Sequence, residues 1–183
     1  KKVKLQGGQN VLVNGATGAI GSALLQFLKY HDVRVTAVVN TKNMARIKTL
    51  GADKLFDYQT EDFTTDTDRY DFVFDAVGKS TFGKCKKLLK PAGSYISSEL
   101  GPWSQNIWLS LLTPLTGGKK VKFPFPLDPK QSMAYIKKVI EDGAFTPVVD
   151  RMYPFAEISA AYDYVATGEK TGNVVIEWTG DPR

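Results

Sequence analysis

The order of apolar runs along the chain constrains the fold more than any other feature of the sequence. Through residue 142, short runs of strand character alternate with segments whose apolar residues recur at helical spacing. β-Branched residues dominate the run at residues 33–39, which favours a buried strand. The pattern predicts strands at residues 10–14, 33–39, 54–57, 70–75, 94–98 and 120–125, and helices at residues 19–30, 43–50, 80–89, 104–115 and 129–142.

Strands that are separated by helices run parallel, with helices on both faces of the sheet. The near-continuous apolar strands agree, because parallel strands are buried on both sides. The expected fold is therefore a doubly wound α/β sheet. Pro124 and Pro126 cannot donate to a β-ladder, so the sixth strand is expected at a sheet edge. Beyond residue 148 the pattern changes to a short extended piece, a helix near residues 155–167 and a strand at residues 173–178.

The composition is that of an ordinary folded domain. Hydrophobic residues make up 43% of the 183 residues and charged residues 23%, which excludes disordered classes. No apolar run reaches the roughly 20 residues of a membrane helix, so no membrane partner is expected. The net charge of +5 comes from dispersed lysines, which suits an anionic cofactor better than a nucleic acid. Cys85 is expected to be a surface or half-buried thiol. Because a single cysteine can form neither an internal disulfide nor a cysteine-rich zinc site, the sequence predicts a cytoplasmic protein with no zinc in this chain.

A glycine-rich turn, GATGAIG at residues 15–21, joins the first strand to the first helix. At this position a pyrophosphate can meet the free amides and the positive dipole end of the helix. Gly18 would let the backbone approach the phosphates, and Gly21 would let the helix pack closely on the strand. A tight turn without a ligand is the alternative interpretation, but the place of the turn in a doubly wound sheet favours dinucleotide binding.

The end of the second strand distinguishes NAD(H) from NADP(H). Proteins that bind NAD usually place Asp or Glu there to accept a hydrogen bond from the ribose 2′-hydroxyl. This chain has Asn40, Thr41 and Lys42, with Arg46 one helical turn later. These groups would hold a 2′-phosphate, which a carboxylate would repel. The sequence predicts NADP(H), with NAD(H) less favoured; otherwise Lys42 and Arg46 are solvated charges at a helix start.

The glycine turn also resembles that of short-chain reductases and epimerases. Those enzymes carry a Tyr-x-x-x-Lys pair, in which the lysine lowers the tyrosine pKa for proton transfer. None of the eight tyrosines here is followed by a lysine four residues later. An atypical short-chain reductase or epimerase is therefore kept only as an alternative hypothesis.

Five segments occur in a characteristic order along the chain. They are NVLVNGATGAIGSALLQFLK (10–29), KTLGADKLFDY (48–58), YDFVFDAVG (70–78), LLKPAGSYISS (88–98) and KTGNVVIEW (170–178). This ordered set resembles the medium-chain dehydrogenase/reductase superfamily over nearly the whole chain. The resemblance is greatest to its zinc-independent quinone oxidoreductase-like branch, which includes bacterial NAD(P)-dependent alcohol dehydrogenase-like proteins. It implies a Rossmann fold and hydride transfer between NADP(H) and a small-molecule quinone, enone, aldehyde or alcohol.

The resemblance also implies a set of cofactor contacts. For Tyr58, Ser97 and Ser98 the alternative is that they only fill space at strand ends. The catalytic residues are unknown, because nothing in the chain is a convincing acid, base or nucleophile. A non-catalytic NADP(H)-binding or interaction module is therefore the second hypothesis. From the pyrophosphate through the adenosine to the nicotinamide, the implied contacts are Gly18, Ala19, Ile20, Asn40, Thr41, Lys42, Arg46, Tyr58, Val77, Gly78, Ser97, Ser98 and Asn173.

The domain organisation of the superfamily divides the chain unequally. Residues 1–149 correspond to its cofactor domain, and residues 150–183 to a C-terminal remnant of a mostly β substrate domain whose N-terminal unit is expected outside this chain. The chain alone is therefore expected to be inactive as an enzyme. Its tail is expected to expose apolar side chains such as Val174, Ile176 and Trp178. The superfamily pairs its sixth strands across a two-fold axis, so a homodimer through the edge strand from Lys120 to Pro126 is expected.

Overall fold

Six strands form the main sheet of the protein, for which a computed structural model describes residues 3–124 and 128–178. The strands are β1 (Asn10–Asn14), β2 (Arg34–Val39), β3 (Lys54–Asp57), β4 (Tyr70–Asp75), β5 (Leu89–Ser97) and β6 (Lys120–Lys122). Their spatial order is β3-β2-β1-β4-β5-β6, and every neighbouring pair is parallel. The predicted doubly wound parallel sheet is confirmed.

The chain changes direction across the sheet at β1. This strand pairs with β2 on one side and β4 on the other, so that Val13 lies opposite both Ala37 and Phe74. The chain first builds the sheet outward through β2 and β3, and then crosses back to β4. The strand order therefore reverses between β1 and β4, and in open α/β sheets ligands bind at the carboxyl ends of the strands where such a reversal occurs.

Helices cover both faces of this sheet. Because successive side chains of a strand point to opposite faces, two apolar cores form. Val11 and Val13 of β1 lie in one core with Leu25, whereas Leu12 lies in the other with Tyr95. Burial on both faces explains why the strands are apolar almost throughout. The helices around the sheet are α1 (Ala19–Tyr30), α2 (Met44–Thr49), α3 (Phe82–Cys85), α4 (Gln105–Leu112) and α5 (Pro129–Glu141).

The region between β4 and β5 differs from the sequence prediction. The helix expected over residues 80–89 consists only of α3 and a 3₁₀ turn at Lys86–Leu88, and β5 begins at Leu89 instead of residue 94. The prediction of a surface or half-buried Cys85 is wrong, because its side chain is fully buried in the second core. Burial raises the pKa of this thiol to about 11, so it stays protonated near neutral pH.

The sixth strand lies at the edge of the main sheet, next to β5, as predicted. The described strand is short and ends at Lys122. Phe125 and Pro126, which belonged to the predicted strand and dimer contact, lie outside the described residues. The proposed use of this edge in a homodimer stays a prediction.

The C-terminal tail forms its own two-stranded parallel sheet. Strands β7 (Val149–Pro154) and β8 (Asn173–Glu177) pair side by side, and α6 (Ile158–Ala166) connects them. Within the described residues no seventh strand joins the main sheet, and so the topology gives the short-chain alternative no support. The tail meets the main sheet at the glycine turn, where the Gly172 amide donates to the Thr17 carbonyl at 2.7 Å.

The tail exposes apolar side chains, but not all of those predicted. Trp178 is exposed, as expected, whereas Val174 and Ile176 are half-buried. A two-stranded sheet with one helix covers little area, so large side chains elsewhere in the tail face solvent. They include Met152, Phe155 and Tyr162.

Candidate functional site

The glycine turn begins the crevice at the carboxyl end of β1. Gly15 has a φ of +80°, and a Cβ at this position would lie 2.3 Å from Val77 Cγ1. A Cβ at Gly21 would lie 2.1 Å from the Gly15 carbonyl oxygen. Both residues are therefore glycines for reasons of packing within the protein, and at Gly21 the reason is the close helix–strand contact that the sequence predicts.

Gly18 has no comparable requirement inside the protein. Its backbone is extended, with φ −71° and ψ 171°, which any residue can adopt. The nearest atom to a Cβ here would be the Gly15 carbonyl oxygen, at an ordinary contact distance of 3.7 Å. The space that a side chain would fill is therefore open to a ligand that approaches the backbone.

The first turn of α1 presents amide donors beside this space. The Ser22 amide is the first to bond one turn back, donating to the Gly18 carbonyl at 2.9 Å. The amides of Ala19 and Ile20 precede it, where the helix itself supplies no acceptor. The tail backbone lies beside this point, because Gly18 and Gly172 form an isolated parallel β-bridge. The turn contains no acidic residue that would oppose the positive end of the helix dipole. Open space and directed amides together fit the pyrophosphate of a dinucleotide.

A cleft of about 430 Å³ lies beyond the carboxyl ends of β2 and β3. Gln59, which the sequence analysis missed, lies two residues after the end of β3, next to Tyr58, and its position just beyond a strand end could have suggested it. Gly168 and Glu169, also missed, come from the tail, and Glu169 lies 127 residues after Lys42, beyond the reach of any local pattern. The four predicted residues that line the cleft are Asn40, Thr41, Lys42 and Tyr58.

Hydrogen bonds fix the wall of this cleft and orient Thr41. The Thr41 hydroxyl donates to the carboxylate of Asp57, which also accepts the Gln59 amide at 3.0 Å. The Gln59 side-chain oxygen in turn accepts the Thr41 amide at 3.2 Å. Because the Thr41 hydroxyl hydrogen is directed to Asp57, Lys42 is the charged donor that this wall offers to a ligand.

Arg46 lies on α2, on the side of the tail. Burial alone would raise the pKa of Asp150, but the Tyr164 hydroxyl donates to this carboxylate at 2.5 Å and opposes the rise. The charges of Arg151 and Arg46 also favour the ionised form, and the pKa of Asp150 stays below its usual value. Arg46 thus acts on Asp150, whereas Lys42 lines the cleft.

A buried carboxylate shapes the loop after β4, which carries the predicted Val77 and Gly78. Asp75 is 2% exposed and accepts five hydrogen bonds. Burial, and then the charge of Asp75, raise the pKa of Tyr95, whose hydroxyl therefore remains a donor. The bonds hold the loop so that Val77 packs on Gly15 at the wall of the crevice. The five donors are the amides of Val77 (3.3 Å), Gly78 (3.1 Å) and Ser80 (3.0 Å), the Asn14 side chain (3.1 Å) and the Tyr95 hydroxyl (2.9 Å).

The three residues predicted for the nicotinamide side lie in two places. Ser97 is buried at the end of β5, where its Oγ accepts the Glu99 amide at 3.2 Å, and Ser98 is exposed immediately after it. Asn173 begins β8 beside the glycine turn, and its side-chain amide donates to the Val148 carbonyl at 3.0 Å. The structure therefore brings Ser97 and Ser98 together and places Asn173 on the tail.

Among residues 3–124 and 128–178, no three His, Cys, Asp or Glu side chains are arranged to hold a metal ion. In the same part of the chain no helix combines the length and apolar character needed to cross a membrane.

The zinc-binding dehydrogenase family matches residues 50–176, which is more than half of the chain. The chain belongs to the zinc-binding dehydrogenase family. A second match, to the NAD dependent epimerase/dehydratase family, covers residues 11–88 and includes the glycine turn. That shorter match agrees with the similarity of this turn to the turn of epimerases.

Relatives of this family member include two plant reductases. One is a 2-methylene-furan-3-one reductase of Solanum lycopersicum, 31% identical over 183 residues. The other is a chloroplastic NADPH-dependent alkenal/one oxidoreductase of Arabidopsis thaliana, 30% identical over 183 residues. Each match covers 96% of this chain and 42% of the relative. The chain spans about half the length of the curated relatives it matches.

Solved structures of two bacterial oxidoreductases share the fold. The quinone oxidoreductase from Coxiella burnetii superposes with a TM-score of 0.82 at 21% identity, over 95% of this chain and 54% of that chain. A quinone oxidoreductase of Pseudomonas syringae gives 0.78 at 20% identity, over 96% of this chain and 58% of that chain. The predicted membership of the quinone oxidoreductase-like branch of the medium-chain superfamily is confirmed by the family match together with the two plant reductases.

Proposed function

We propose that the chain is the cofactor-binding part of an oxidoreductase that transfers a hydride between NADP(H) and a quinone, enone, aldehyde or alcohol. One observation carries the proposal: two complementary features lie at the same carboxyl edge of the sheet. The open glycine turn offers amides to a pyrophosphate, and the cleft after β2 and β3 offers a cation. The relative named an NADPH-dependent alkenal/one oxidoreductase supports both the cofactor and the substrate class.

In this proposal each part of NADP(H) has its own surface. The pyrophosphate accepts hydrogen bonds from the amides of Ala19 and Ile20, above Gly18. The adenosine follows the strand ends to the cleft, where the exposed Tyr58 ring offers an apolar face. The 2′-phosphate binds Lys42, because an ammonium pairs favourably with a phosphate dianion.

The nicotinamide extends in the opposite direction, toward the end of β5. Bound NADP(H) supplies or accepts the hydride, and the chain positions the ring and excludes water from it. Ser97, Ser98 and Asn173 are proposed to face this half of the cofactor. The acid or base for any accompanying proton transfer is proposed to come from outside residues 1–183.

The division of the chain follows from the same proposal. Residues 1–149 form the cofactor domain, and residues 150–183 complete a substrate domain that the rest of the protein supplies. The apolar side chains exposed on the tail support this assignment, since a covering partner would bury them. The chain alone is expected to bind NADPH without significant turnover. A cytoplasmic location and a homodimer through β6 remain predictions, and some relatives carry chloroplastic or mitochondrial names.

Replacing Lys42 with glutamine is expected to weaken NADPH binding about tenfold and to change NADH binding less than twofold. The loss corresponds to about 1.4 kcal/mol, which suits one charge-assisted contact at a partly exposed site. Isothermal titration calorimetry with both cofactors measures this difference.

The matched control for this experiment is Lys87→Gln, which removes an exposed lysine from the 3₁₀ turn after α3. It should leave both affinities unchanged. If the parent chain bound NADH more tightly than NADPH, or if Lys42→Gln weakened both cofactors equally, the proposed recognition of the 2′-phosphate would be wrong.

A further inference from the structure

The turn after α6 is fixed against the loop that carries Lys42. The buried Thr171 hydroxyl donates to the Asn43 side-chain oxygen at 3.0 Å. The side-chain amide of Asn43 in turn donates to the side-chain oxygen of Asn40 at 2.7 Å. These contacts join the tail to the loop at residues 40–43, although more than 120 residues separate them in sequence. Glu169 is thereby held at the mouth of the cleft, two residues before Thr171.

Lys42 already has an anionic neighbour in this arrangement. Its Nζ lies 3.8 Å from Glu169 Oε2 and donates to the Glu169 carbonyl oxygen at 3.4 Å. The two side chains are 55% and 71% exposed, so water solvates both and either can move. An exposed ion pair of this kind contributes little to the free energy of unfolding, so we expect it to affect ligand affinity instead.

We propose that Glu169 is a specificity-determining residue, whose carboxylate competes with the cofactor 2′-phosphate for Lys42 and narrows the preference for NADPH over NADH. This inference rests on the proposed function of the cleft. A 2′-phosphate carries close to two negative charges, so it is repelled by the carboxylate while it is attracted by Lys42. A ribose 2′-hydroxyl has no charge and can donate a hydrogen bond to the same carboxylate.

The charge of Glu169 can be removed without disturbing the contacts that hold the turn in place. The Glu169 carboxylate is exposed, and the contacts that fix the turn come from Thr171 and Asn43. Glutamine at position 169 keeps the size of the side chain and removes only its charge. The variant should therefore fold like the parent chain and differ in what it binds.

The experiment compares the parent chain with Glu169→Gln by titration with adenosine 2′,5′-bisphosphate and with adenosine 5′-monophosphate. These probes contain the adenosine half of NADPH and of NADH, and they differ only at the 2′ position. Removing one negative charge beside the phosphate should raise the affinity for the bisphosphate about three- to tenfold. The affinity for the monophosphate should stay the same or fall. Because the groups are exposed, the gain should shrink at high salt.

A matched control and the Lys42 variant give the remaining outcomes. Glu157→Gln removes an exposed carboxylate at the start of α6, outside the cleft, and should change neither affinity. If Lys42→Gln weakens bisphosphate binding but Glu169→Gln does not alter the ratio of the two affinities, this inference is overturned and the proposed function stands. If the parent chain binds neither nucleotide nor NADPH, the proposed function itself fails.

Discussion

A Gly18→Val chain is expected to fold like the parent and to bind NADPH at least about 100-fold more weakly. The extended backbone of Gly18 accepts a β-branched residue, and a Cβ there has no protein atom closer than 3.7 Å. The added side chain would instead occupy the approach to the amides of Ala19 and Ile20. Losing two charge-assisted hydrogen bonds costs about 3 kcal/mol or more, which corresponds to the stated loss of affinity.

Calorimetry measures the binding of this variant, and thermal unfolding measures its stability. A change of about 1 kcal/mol in the unfolding free energy is expected, because glycine is a better helix N-cap than valine. Gly21→Ala provides the contrast: its Cβ would lie 2.1 Å from the Gly15 carbonyl oxygen and 2.8 Å from Ala16 Cα. That clash should destabilise the fold by about 1–3 kcal/mol. A Gly18→Val chain that still binds NADPH at parental affinity would refute the pyrophosphate site.

An Asp75→Ala chain is expected to lose about 3–5 kcal/mol of unfolding free energy, a large share of the roughly 5–15 kcal/mol of a typical domain. The five donors that converge on Asp75 would be left without their acceptor in a buried place. The loop after β4 would then lose its anchor, and Val77 would no longer be held on Gly15. The affinity for NADPH should therefore decrease together with the free energy of unfolding.

Urea denaturation followed by circular dichroism measures the effect of the Asp75 substitution. Tyr95→Phe is the graded control, since it removes one of the five donors and should cost about 1 kcal/mol. A loss from Asp75→Ala no larger than that from Tyr95→Phe would mean that the carboxylate does not organise this loop.

The sequence alone predicted the main sheet well, because its strands are buried on both faces and read as uninterrupted apolar runs. The bounds of β1, β3 and β4 agree with the prediction to the residue. The start of β5 was missed because Pro91 and Gly93 resemble a turn. In the structure, a shift of register between Tyr70 and Phe72 lets this segment pair with β4.

The candidate site was predictable where it depends on strand ends and not where it depends on distant contacts. Gly18 and Lys42 follow strands of the sheet and were named from position, whereas Tyr58 was named from the family resemblance. Glu169 was not predicted, since its place in the cleft depends on how the tail packs against residues 40–43. NADP(H) was likewise predicted from the end of β2, whereas the carboxylate beside Lys42 comes from the tail.

The most direct test of the central claim is an NMR titration of the uniformly ¹⁵N-labelled chain with NADPH. If the chain binds NADP(H) as proposed, the largest amide shifts should fall on residues 15–20 of the glycine turn. A second set should fall on the cleft, at residues 40–42, 58–59 and 168–169, and NADH should shift this second set less. Saturating NADPH that leaves the amides of Gly18, Ala19 and Ile20 unshifted, or that shifts only residues remote from both features, would contradict the account.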